Sequence, residues 1–237
     1  MYFTVTATQG SYFGPRTCPH GPCVRFERMS VNRPEPGVDL TDGPEEDVRP
    51  AAAVIVMRGG SERFELLLVQ RTHAARFMGG AWVFPGGSVD TADGAGQPGL
   101  RRAARRELRE ESGIELAAGA ELVPYMRWIT PARRQPRFDT WFFLTIAPAD
   151  ATPRVDGSEI VGFRWTSAEA ALRAASADQL LLTFPTIKQL EQLGRFASAE
   201  ELLAHARGIE VRPIQPRIVG SDERARILLP GEPGYDD

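Results

Sequence analysis

The chain has 237 residues, 42% of them hydrophobic and 25% charged, with a net charge of −3. That is the make-up of one good-sized globular domain with extensions, large enough to bury a core without staples. The small net charge gives no global pointer to nucleic acid or an anionic membrane, no apolar run approaches the roughly 20 residues that span a bilayer, and residues 1–10 lack the basic flank and apolar block of a signal peptide, so a cytoplasmic protein is the expectation.

Residues 1–48 read as a tail and linker. Residues 1–28 show no periodicity, and two readings stay open: Met29 is the true start, or the first 28 residues form a disordered tail. Cys18 and Cys23 flank His20, but a zinc site takes four ligands, and His73 and His205 are distant in sequence. Residues 30–50 are rich in Pro, Gly, Asp and Glu, the composition of a linker.

Folded structure is expected to begin near residue 51. Residues 51–57 form an apolar strand, residues 65–71 a second, with a hairpin connection between them, and residues 82–84 a short third strand stopped by Pro85-Gly86-Gly87. A polar loop over residues 88–99 leads into a helix over 100–112, with Leu100, Ala104 and Leu108 on its apolar face and Gly113 at its C-terminal end. Strands follow over 122–129, 139–146 and 160–165. Thr166 with Glu169, and Ser198 with Glu201, have the spacing of capping boxes before helices. Pro185 suits the first turn of a helix running to Leu193. The tail over 212–237 is rich in Pro and Gly and reads as irregular chain. Strands first, one helix in the middle and helices last argue for an α/β layered domain on a mixed sheet, with a core over 49–175 and C-terminal helices and tail over 176–237.

The chemistry is concentrated in Arg106-Glu107-Leu108-Arg109-Glu110-Glu111-Ser112-Gly113-Ile114. Positions i, i+3 and i+4 of a helix share one face, so Glu107, Glu110 and Glu111 project together. Exposed like charges that close cost about 0.2–0.5 kcal/mol per pair. Alone, such a set reads as a solvated acidic patch paired with arginines, or as a site for a hard cation such as Mg²⁺ or Mn²⁺, which takes oxygen ligands.

With Phe84-Pro85-Gly86-Gly87 ahead of it, this segment resembles the signature of the Nudix hydrolases: a Gly, five residues, a Glu, seven residues, then Arg-Glu-apolar-x-Glu-Glu-x-Gly-apolar. The last nine positions match throughout. The front half departs: after Gly87 and a gap of five residues stands Asp93 rather than Glu, and twelve residues then separate it from Arg106. The extra five fall in residues 94–99, where an insertion leaves the helix intact, and Asp93 is expected to brace the loop against the helix. The resemblance implies an α/β/α sandwich with a mixed sheet and a C-terminal helical extension. It also implies hydrolysis of a nucleoside diphosphate linked to another group, by attack of water on phosphorus. Glu107, Glu110 and Glu111 would hold Mg²⁺ or Mn²⁺, with the carbonyl of Gly86 as a further ligand. Arg106 would orient the carboxylates, and Gly87 and Gly113 would serve through the backbone. Arg106, Glu110 and Glu159, which precedes the strand over 160–165, are the residues expected at the chemical step. Asp139 is a further acidic candidate.

Upstream, Leu67-Leu68-Val69-Gln70-Arg71-Thr72, then Arg76, Gly80 and Phe84, resembles the coenzyme A diphosphatase subgroup, with Val69 where Thr is usual and Thr72 where Ser or Ala is usual. That resemblance implies cleavage of coenzyme A or acyl-CoA to 3′,5′-ADP and (acyl)phosphopantetheine. Arg71, Arg76, Arg133 and Arg134 would contact the extra phosphate. ADP-ribose or a nucleotide-sugar remains an alternative substrate. A non-catalytic ligand sensor on the same fold is the rival from another class, and retention of all three motif glutamates argues against it. A metal-using isomerase on a related fold would want an acid/base cysteine, and both cysteines precede the core. The small-molecule partner is therefore of nucleotide type, with neither nucleic acid nor membrane. The helices after Leu180 are expected either to line the pocket or to support a homodimer.

Overall fold

A computed structural model of the chain describes residues 48–59, 64–75, 78–132, 134, 136–220 and 225–236. Cys18, His20, Cys23 and Met29, and the candidates Arg76 and Arg133, lie outside the described residues, as does most of the expected hairpin connection.

Strand β1 (Arg49–Gly59) is the centre of the molecule, because its run from Ala51 to Met57 is apolar at every position and buried on both faces. Such continuous runs belong to sheets covered on both sides. It runs parallel to β6 (Phe138–Ile146) and antiparallel to β2 (Phe64–Arg71). On the far side, β5 (Val123–Ile129) pairs antiparallel with β6 and carries β8 (Pro213–Ile214) on its outer edge. On the near side, Leu66 of β2 pairs with Met57 of β1 and with Thr166 of β7 (Ile160–Thr166), while Val69 pairs with Val83 of β3 (Trp82–Val83) and with Phe163 of β7. A residue pairs directly on two edges at most, so β7 occupies the edge of β2 opposite both β1 and β3.

The helices sort onto two faces. In α1 (Gly96–Ser112), Leu100, Ala103, Ala104 and Leu108 recur at helical spacing and pack on Val54, Val56, Leu67 and Phe143. The other face, through Ile55, Met57, Leu66, Leu68 and Leu144, receives α2 (Ala168–Ser176), α3 (Phe184–Leu193) and α4 (Ala199–Arg207). The result is the α/β/α sandwich on a mixed sheet. Among the described residues, no helix is long and apolar enough to cross a membrane.

Four local expectations are corrected. The third strand does end before Pro85, but Gly86–Ser88 then forms a further one, β4, because its backbone finds Ala51–Ala53 of β1. The loop after it is shorter than expected: a 3₁₀ turn over Thr91–Asp93 is followed by α1 from Gly96, four residues before Leu100. The cap of α2 is Ser167, whose hydroxyl accepts from the Ala170 N–H, and not Thr166, which ends β7 with its hydroxyl turned to the Ser167 carbonyl. The tail is ordered by pairing: β8 extends the main sheet, and β9 (Arg217–Val219) pairs with β10 (Arg226–Leu228), burying Ile218 and Ile227 in the core.

Candidate active site

The site grows from how α1 begins, runs and ends. Its last turn closes on Gly113, which sits at φ +67 and donates its N–H to the Arg109 carbonyl, a left-handed cap that a Cβ would strain. That fixes where Glu107, Glu110 and Glu111 stand over β4. The approach is close: a Cβ on Gly87 would lie 2.6 Å from the Glu107 carboxylate. Gly86 donates its N–H to Glu111 Oε2 at 2.8 Å.

Arg106 joins loop and helix. Its Nη2 donates to Asp93 Oδ2 at 2.8 Å and to the Ser88 carbonyl at 2.9 Å. Its Nη1 donates to Glu107 Oε1 at 2.7 Å and Glu110 Oε2 at 3.1 Å. Asp93 is buried, accepts a second bond from the Asp90 N–H, and is held below the usual carboxylate range chiefly by its hydrogen bond with Arg106. Only Gly94 and Ala95 separate Asp93 from α1, so most of the insertion over 94–99 is taken up by the first turn of α1, from which Arg102 Nε donates to the Asp93 carbonyl at 2.6 Å.

Across the site, Arg71 ends β2 and its guanidinium lies 3.7 Å from Glu159 Oε1. Glu159 is 63% exposed in its side chain, and the turn that presents it is fixed by Asp156, which accepts from the N–H groups of Glu159 and Ile160. Those bonds, led by that from the Ser158 hydroxyl, lower the Asp156 carboxyl to about 2. The Asp-Gly-Ser turn was the available sequence signal for this second layer.

Among the candidates, Arg71, Gly86, Gly87, Asp93, Arg106, Glu107, Glu110, Glu111 and Glu159 come together. Arg134 lies in the connection from β5 to β6, at the end of the sheet where β1 begins, and is only 4% exposed, so its guanidinium is withdrawn from solvent. Asp139 is held apart by a two-bond pair with Arg127, at 2.8 and 2.6 Å.

Glu111 is 6% exposed, and burial pushes its carboxyl up to about 8 despite the Gly86 N–H; the charges of Glu107 and Glu159 raise it and that of Arg71 lowers it. Burial also raises Glu107, opposed by Arg106. Among the described residues no three His, Cys, Asp or Glu side chains converge into a ready cation cage: Arg106 draws Glu107 and Glu110, and Gly86 draws Glu111. The donor set nevertheless fits a hard divalent cation. Three carboxylates share one helix face, and the most desolvated of them is opposed by like charges, an arrangement that an added cation relieves.

Residues 47–184 match the model of the NUDIX domain family. The chain is 28% identical over 227 residues to "Putative nudix hydrolase 7" of Caenorhabditis elegans, across 80% of this chain and 75% of that protein. It is 29% identical over 113 residues to the acyl-coenzyme A diphosphatase NUDT19 of Homo sapiens, across 46% of this chain and 30% of that protein. A crystal structure of a NUDIX hydrolase from Alicyclobacillus acidocaldarius superposes with a TM-score of 0.62 at 26% identity, over 72% of this chain and all of that one.

Proposed function

The chain belongs to the Nudix family, the match over 47–184 covering more than half of it, and from that premise we propose a metal-dependent diphosphatase whose substrate is coenzyme A or an acyl-CoA. The observation that carries the hydrolase reading is the set of Glu107, Glu110 and Glu111 on one helix face, tied by Arg106 to the loop and by Gly86 to β4.

Glu107, Glu110 and Glu111 would hold Mg²⁺ or Mn²⁺, with the Gly86 carbonyl as a further ligand. When bound, such an ion neutralises the diphosphate and makes a bound water a stronger nucleophile. Arg106 keeps the carboxylates in place by charge-assisted hydrogen bonds and stays clear of substrate. Glu159, exposed beside Arg71, takes the proton of the attacking water as the new P–O bond forms and the bridging P–O bond breaks. Arg71 steers that carboxylate and adds positive charge where the phosphates sit. Water attack on the diphosphate of CoA leaves 3′,5′-ADP and (acyl)phosphopantetheine.

The choice of CoA rests on the segment from Leu67 to Gly87 and on likeness to the human acyl-CoA diphosphatase, of whose length the chain spans less than a third. A substrate panel tests it: CoA, acyl-CoAs, ADP-ribose and nucleotide-sugars with Mg²⁺ or Mn²⁺, products separated by chromatography. CoA and acyl-CoA are expected to be cleaved, a chelator to stop the reaction, and Glu111→Gln to lower kcat by about 10³-fold while the protein stays folded. CoA left intact beside cleaved ADP-ribose overturns the substrate; a wild-type protein inert toward every diphosphate overturns the enzyme.

A further inference from the structure

We infer that an apolar strip on β7, centred on Phe163 with Val161 beside it, receives the pantetheine and acyl arm of the substrate as it leaves the diphosphate. The inference rests on the CoA reading above and adds to it the surface that selects the acyl chain.

Among the described residues four large hydrophobic side chains are markedly exposed, and two of them, Val161 at 40% and Phe163 at 42%, lie on this strand. Scattered exposed apolar residues are ordinary; these two are placed by the sheet. Directly paired residues share a face. Phe163 is opposite Val69, which is opposite Val83 on its other side, so the three make an apolar row across the sheet. One step along, Trp165 is opposite Leu67, and both pack in the cluster under α1. The row therefore faces the side of the sheet on which the helix of glutamates lies. Gly162 faces the other way, toward Gln70 and Trp82.

The register then shifts. Gly162 pairs with Gln70 but Ile160 with Arg71, leaving Val161 as the extra residue of a bulge. Bulges bend a strand and re-aim its side chains, and this one lies between Phe163 and Glu159, whose carboxylate meets Arg71. Glu159 to Phe163 spans about 13 Å of strand, and Val83 at the row's other end is three residues from Gly86. Val69 in the middle of the row is fully buried, so the exposed strip is Val161 and Phe163, which run along β7 from Glu159 and end at Trp165, where the Arg58 guanidinium sits 4.3 Å over the ring. The strip is polar at its Glu159–Arg71 end and apolar beyond it, which matches an arm that starts at phosphate and becomes aliphatic, and the Arg58 guanidinium marks its far limit. A second copy seated on the strip would also cover Glu159, one bulge away, so the substrate is the occupant that leaves the site open.

The test compares kcat/KM for decanoyl-CoA with that for CoA. The wild type is expected to favour decanoyl-CoA, and Phe163→Ser to cut that ratio about tenfold, the worth of two buried methylenes, through KM. Phe163→Leu keeps an apolar surface and is expected to keep most of the preference. A ratio that Phe163→Ser leaves unchanged, or that Phe163→Leu lowers as much, overturns the strip while CoA hydrolysis stands. A dimer that Phe163→Ser converts to monomer in sedimentation, at a constant ratio, gives the strip to a second copy and overturns it too. A wild type that cleaves neither thioester nor CoA overturns the substrate reading first, and the strip with it.

Discussion

One guanidinium organises the candidate site. Arg106 donates to Asp93, Ser88, Glu107 and Glu110 at once, so loop and helix move together. Asp93 is the partner least exposed to water, and its carboxyl is held below its ordinary value by that contact. A carboxyl depressed in the folded state contributes stability that is present above its unfolded value and lost as pH falls through its folded one. Asp93→Asn is therefore expected to cost about 2 kcal/mol near neutrality. The gap from wild type should close as urea unfolding is repeated toward pH 3. A gap that stays constant with pH would mean that the side chain acts by shape rather than by charge. Glu107, Glu110 and Glu111 were legible in the sequence because helical spacing puts them on one face, while their reading as a cation site and the role of Arg106 came from the resemblance of the whole motif. Asp90 was not legible, since it meets the Arg106 guanidinium at 3.5 Å only once the loop folds back on α1; the turn at Asp156 was visible, but the Glu159 and Ile160 N–H groups that it holds take their positions only in the fold.

Elements were legible where one signal dominated. The apolar run of β1, the periodic face of α1 and the glycine after it could each satisfy only one kind of structure. Where two signals competed, geometry chose. Gly86-Gly87 reads as a stop, but β1 offers open backbone groups at Ala51–Ala53, and pairing outweighs the glycines' weak strand preference. Before α2, Thr166 and Ser167 are both good caps. Thr166 is claimed by β2 through its pairing with Leu66, so the cap passes to Ser167. Ser167→Ala is expected to cost about 1 kcal/mol and Thr166→Val distinctly less, read as shifts in urea midpoint at constant m-value. The reverse order would return the cap to Thr166.

At the scale of the whole molecule, the last two dozen residues show what composition conceals. Pro and Gly spaced through the tail gave no period to follow, and strands of two or three residues are too short for one. Their order comes from partners distant in sequence: β8 from Arg127 and Trp128, and the β9–β10 pair from the core beneath it. Ile218 and Ile227 join the same cluster as Ile55, Leu68 and Leu202, so the tail closes the face of the sheet opposite α1. The two faces then carry different duties: α1 holds the carboxylates, and α2 to α4 with the tail supply the rigid backing that fixes β1 and β2 under them. Ile227 is 2% exposed, and truncating a fully buried isoleucine costs about 2–5 kcal/mol. Ile227→Ala should lower unfolding free energy by about 3 kcal/mol. Because the residue sits on the far face from Glu111, kcat of the molecules still folded should be unchanged. A loss below about 0.5 kcal/mol, the size of a surface substitution, would show that the tail lies on the domain without completing its core.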